Sequence, residues 1–180
     1  FDTIGADPLR WYFLSRLAPE AQKRISSKIV SEVASSFVNT LWNTFSFFVL
    51  YASLDKVDLT NNIEPSKRPE LDRWILALLY KTIETSTQAL DSYDAKTAGE
   101  TIEHFTNQLS NWYIRRSRKR FWKSEAGIDK QSAYLTLYTC LENLDKLISP
   151  FMPFLAEKIY QHLVRGQNND SPISVHMSSL

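Results

Sequence analysis

Between Ser26 and Ser53 the chain reads SSKIVSEVASSFVNTLWNTFSFFVLYAS, and Ile29, Val30, Val33, Phe37, Leu41, Phe45, Phe48 and Tyr51 recur in it every three or four residues. That is the helical period, so the spacing predicts one long helix with a wide buried face. The same pattern returns downstream. Pro69 starts a helix carried by Leu71, Trp74, Ile75, Leu78, Leu79, Thr82, Ile83 and Leu90 to about Ser92. Asp94 caps another running through about Trp122, and Asp129 caps a fourth with Tyr134, Leu137, Tyr138, Leu141, Leu144 and Ile148 inward. A short helix from Pro8 to Leu17 stops before Pro19, and Asp7 is its N-cap. Ser149 to Pro153 breaks the chain before a last helix, and Ile173 to His176 is expected to be a short extended segment after it.

The rest of the composition agrees. Four glycines in 180 residues are too few for the turns of an all-β fold. The fold class is therefore all-α: an antiparallel bundle of four principal helices with short helices at the ends. Residues 1–20 read as a connector, 21–165 as the bundle and 166–180 as a tail. The single cysteine, Cys140, can form no internal disulfide and no thiolate cluster, and no metal ligand set stands out. Apolar runs such as Phe45 to Leu50 are too short to cross a bilayer, so no membrane role is expected and the chain reads as cytoplasmic, and, with no surplus apolar face evident, as monomeric. Phe1 in place of an initiator methionine suggests a piece of a longer polypeptide.

One stretch is not ordinary bundle sequence. From Arg115 to Lys123, six of nine residues are cationic. Setting those six aside leaves 15 Lys+Arg against 20 Asp+Glu, a formal charge of −5, so the total of +1 hides a cationic patch on an acidic body. On a regular helical wheel the core stripe is Ala98, Ile102, Phe105, Leu109 and Trp112. Gln108, Asn111, Arg115, Arg118, Lys119 and Trp122 fall on an outward face beside it. Cations for phosphates, amides for base edges and an exposed ring for an unstacked base are what a nucleic-acid surface needs. Arg116 and Arg120 continue the core stripe, so each either pairs with a carboxylate inside the bundle or lies where the helix projects beyond it. A solvated basic helix end complementing the macrodipole needs one or two cations rather than six.

The string from Leu109 to Trp122, LSNWYIRRSRKRFW, resembles the anticodon-binding domain of class I aminoacyl-tRNA synthetases of the isoleucine type. Leu71-Asp72-Arg73-Trp74-Ile75-Leu76 is similar to the start of that domain's second long helix, and Leu90-Asp91-Ser92-Tyr93-Asp94 to its turn into the third. The stretch from Ile148 to Glu157, the tail Ser174-Val175-His176 and Gly5-Ala6-Asp7-Pro8-Leu9-Arg10 fit the same family, the last with proline where the family more often has alanine or valine. The resemblance implies a fragment that binds the anticodon stem and loop of an isoleucine-accepting tRNA. Its contacts would come from Arg115, Arg116, Arg118, Lys119, Arg120, Asn111, Gln108, Trp122 and Lys123. It also implies a catalytic core in the same polypeptide, using ATP and magnesium, whereas this fragment needs no cofactor. The two catalytic strings of class I enzymes, His-Ile-Gly-His-like and Lys-Met-Ser-Lys-Ser-like, are absent. His104, His162 and His176 read as surface or helix-end residues. The alternatives are the equivalent valine or methionine domain, a helical module for an acidic protein partner, and a structural bundle whose arginines pair internally.

Overall fold

The computed structural model describes residues 5–16, 25–60, 63–122 and 127–180. Helix α1 is Asp7–Ser15. Helix α2 spans 27–55, built of Ser27–Val33, a π turn Ala34–Val38, and Asn39–Asp55. Helix α3 is Glu70–Asp91. Helix α4 spans 95–122 as Ala95–Gln108, a second π turn Leu109–Ile114, and Arg115–Trp122. Helix α5 is Ile128–Ile148, and α6 is Pro153–Tyr160 extended by a π turn Gln161–Arg165. No strand occurs among the described residues.

Helices α2 to α5 run up, down, up and down, as the expected four-helix bundle. The end of α2, the start of α3, the end of α4 and the start of α5 meet at one end, where Asp55 pairs with Lys130 and Asp72 with Arg120. The core between them is aromatic: Phe121 meets Phe47 and Tyr134 edge-on at 5.2 and 4.9 Å. Burying such side chains is worth about 1.5–3 kcal/mol each and dominates the favourable side of folding. Caps delimit the helices: Ser26 accepts the Ile29 N–H, and Asp94, as the sequence suggests, accepts the Thr97 N–H.

Helix α1 crosses the opposite half of α4, where Gly99 makes the approach possible. A Cβ there would lie 2.2 Å from the Ser15 Cβ. Trp11 of α1 stacks on Phe37 of α2 at 3.9 Å, and Arg10 donates to the carbonyl oxygens of Pro150 and Phe151.

Three local expectations change. Asp7 does not cap its own helix, whose N-cap is Ala6; its carboxylate instead accepts the Leu155 N–H at 2.6 Å and so caps α6. Asp129 lies in the first turn of α5 behind the N-cap Gly127, because Arg120 draws its carboxylate away. The extended segment at Ile173 to His176 is largely replaced by a 3-10 turn, Val175–Met177, whose preceding Ser174 is anchored on Glu157 at 2.7 Å. The end of α1 near Leu17 and the break at Pro19 lie outside the described residues, as does Lys123.

Candidate nucleic-acid interface

The last two turns of α4 have two faces, and the π turn before them sets which residue lies on which. A π turn adds a residue to the helical repeat and so advances everything beyond it around the axis. Leu109 is buried as expected, but the core stripe then continues through Tyr113, Ser117 and Phe121. Trp112, read from the wheel as core, is a correction: 47% of it is exposed.

The inner face closes around Asp72 of α3, which is fully buried. Its Oδ1 accepts hydrogen bonds from Arg120 Nη1 at 2.5 Å and Tyr113 Oη at 2.9 Å. Its Oδ2 accepts from Arg120 Nη2 at 2.8 Å and Ser132 Oγ at 2.6 Å. Arg120 also donates to the Asp129 carbonyl at 2.8 Å and pairs with its carboxylate. A buried carboxylate is tolerable only with such saturation. Burial alone would lower the Arg120 pKa, but the hydrogen bonds and charge of Asp72 raise it on balance. Burial, with Asp72 beside it, pushes the Tyr113 phenol well above its ordinary value.

The outer face is different. Arg115, Arg116, Arg118 and Lys119 are exposed and form no ion pair with any described residue. The Arg116 guanidinium lies over the Trp112 ring, 4.5 Å from its centroid. Of the two readings open for the arginines on the core stripe, Arg120 takes the internal pair and Arg116 the exposed position. Trp122, 56% exposed, donates its Nε1–H to Tyr51 Oη at 2.8 Å, which ties its ring to α2. Asn111 is exposed within 3.5 Å of Asn107, and Gln108 is half-buried. The structure thus gathers Asn111, Arg115, Arg116, Arg118, Lys119 and Trp122 on or beside one surface and turns Arg120 inward. Sequence reasoning missed Asp72 and Trp112. The signal for Asp72 was an acid on the apolar stripe of α3; a regular wheel holds no signal for Trp112.

No group of three or more His, Cys, Asp or Glu side chains gathers among the described residues, and no glycine-rich phosphate loop is present in the sequence. No helix among the described residues is long and apolar enough to cross a membrane.

Comparison with known proteins sets this surface in context. Over residues 72–180 the chain matches the family described as "Anticodon-binding domain of tRNA ligase". It is 48% identical over 177 residues to an isoleucine–tRNA ligase of Dehalococcoides mccartyi, covering 98% of this chain and 18% of that protein. With the isoleucine–tRNA ligase of Deinococcus radiodurans the identity is 50% over 178 residues, 99% of this chain and 16% of the relative. The chain thus spans less than a fifth of the length of the curated relatives it matches. A methionyl-tRNA synthetase of Mycobacterium tuberculosis bound by methionyl-adenylate shares the fold, with a TM-score of 0.75 at 22% identity over 89% of this chain and 32% of that one. The matched residues include Asp72, the whole two-faced segment of α4 and the Glu157-anchored tail, and on this ground the chain belongs to the family of tRNA-ligase anticodon-binding domains.

Proposed function

We propose that the chain is the tRNA-recognition unit of an isoleucine–tRNA ligase and docks the outer face of α4 on the anticodon stem and loop of an isoleucine-accepting tRNA. The observation that carries this is the set of four exposed cations, without ion pairs among the described residues, beside two half-exposed tryptophans on a helix that lies within the matched residues 72–180. Arg115, Arg118 and Lys119 supply phosphate contacts, with Lys123 extending them in sequence. Asn111 and Gln108 offer amides to base edges. Arg120, committed to Asp72, holds the helix in place and contributes no free charge. Specificity comes from the loop, because the deep major groove of an A-form stem is closed to side chains whereas loop bases splay out.

In this reading the parent ligase uses ATP and magnesium in a catalytic core of the same polypeptide to attach isoleucine, in the cytoplasm. A binding titration against isoleucine-accepting and valine-accepting tRNA tests it. Tighter binding to the first, lost when the anticodon loop is removed, is expected. Equal binding to both would leave a non-selective basic surface and contradict the isoleucine assignment.

A further inference from the structure

We propose that Trp112 and Arg116 together form a stacking platform for one unpaired RNA base; this rests on the proposed function and adds to it a base-reading element. The π turn Leu109–Ile114 sends Tyr113 into the core and its neighbour Trp112 to the surface. An indole with half its area in water gives up hydrophobic stabilisation that an α-helical register would have recovered. The exposed ring already carries a planar cation, since Arg116 lies 4.5 Å from its centroid and pairs with no described carboxylate.

A guanidinium laid on an indole presents a flat, electron-poor surface, and RNA bases stack on both aromatic rings and arginine planes. The stack is formed before ligand arrives, so little side-chain freedom remains to be lost on binding. Arg115 and Lys119 flank it on the same helix and are exposed for the phosphates on either side of a splayed nucleotide. Trp122 differs: its indole N–H is held by Tyr51 of α2, and no cation of the described residues stacks on it. The platform selects single-stranded over duplex RNA, because bases in a duplex are already stacked.

The test uses the 180-residue chain, a synthetic RNA hairpin carrying a fluorescent adenine analogue in an anticodon-sized loop, and a blunt RNA duplex of equal charge. Trp112→Ala is expected to weaken hairpin binding about five- to a hundredfold, the range for removing one base–aromatic stack. It should abolish quenching of the loop fluorophore and leave duplex binding and the salt slope unchanged. Trp112→Phe should restore much of the affinity. Arg116→Lys, which keeps the charge but not the plane, should lose quenching with the slope unchanged. Native hairpin affinity and quenching in a Trp112→Ala chain of native helicity would overturn the platform while leaving the proposed function standing. Failure of the native chain to bind either RNA would remove both.

Discussion

Arg116 and Arg120 lie one helical turn apart on α4, carry the same charge, and have opposite fates. Arg120, 12% exposed at its side chain, is clamped on a buried carboxylate that also takes Tyr113 and Ser132. Arg116 is exposed and rests on a tryptophan. The difference comes from the opposing helix: α3 offers one acid at the height of Arg120, whereas no described carboxylate reaches Arg116. A basic run is therefore not a uniform electrostatic patch. Its inner member, Arg120, holds the bundle end together, and its outer members have no acid partner among the described residues.

Removing the anchor should have the largest effect. Asp72→Ala strips four hydrogen bonds and leaves Arg120 half-buried without its main partner, for which a loss of about 3–5 kcal/mol is expected. Urea denaturation reads this directly, and a loss below about 1 kcal/mol would break the contrast between the two arginines.

The contrast sharpens with a second buried acid. Asp145 of α5 is 1% exposed, yet neither carboxylate oxygen has a hydrogen-bond partner among the described residues. Burial first, with the negative charge of Glu157, raises its pKa from 3.8 to about 8. A raised carboxyl pKa means the folded state holds the proton more tightly, so stability is lost as pH climbs from about 4 to 8. Asp145→Asn should match the native chain near pH 4 and exceed it at pH 8, by about 1–3 kcal/mol, a discounted part of the roughly 1.4 kcal/mol per unit of pKa shift that proton linkage implies. Melting curves at the two pH values give the comparison; equal gains at both would show that ionisation of Asp145 is not the cause.

At the other end of α4 the limit is steric. Gly99→Ala drives a Cβ into Ser15 and should cost about 1–3 kcal/mol in thermal denaturation, as overpacking does. Ser15→Gly in the same chain should recover most of it. Smallest of all, Arg118→Ala should change stability by less than about 0.5 kcal/mol, since its side chain is exposed and unpaired among the described residues.

Much of this fold is legible in the sequence because apolar periodicity survives local irregularity. Ile29 to Tyr51 reads correctly as one helix although Ala34–Val38 is a π turn, for a buried stripe that wide tolerates a small rotation. The candidate site does not tolerate it. Past Leu109–Ile114, one added residue exchanges Trp112 with Tyr113 and moves Phe121 rather than Arg120 into the core. Helical periodicity assumes a constant angle per residue, and a π turn violates that assumption without changing composition. Asp7 and Asp129 show a second limit: an acid beside a helix start reads as a cap for that helix, but tertiary contacts with α6 and Arg120 redirect them. The cationic character of the outer face needed no geometry, because six cations in the nine residues from Arg115 to Lys123 exceed the one or two that a helix end needs.

The division of α4 into a structural inner face and an outer face proposed to bind RNA is tested most directly by one paired measurement: melting temperature and the salt dependence of tRNA affinity in an Arg115→Ala, Arg118→Ala double variant. The expected result is an unchanged melting temperature, weaker binding, and a log–log salt slope smaller by about 0.7–0.9 for each phosphate that the variant no longer neutralises. A native slope and affinity in that variant would contradict the account and return the outer arginines to solvent.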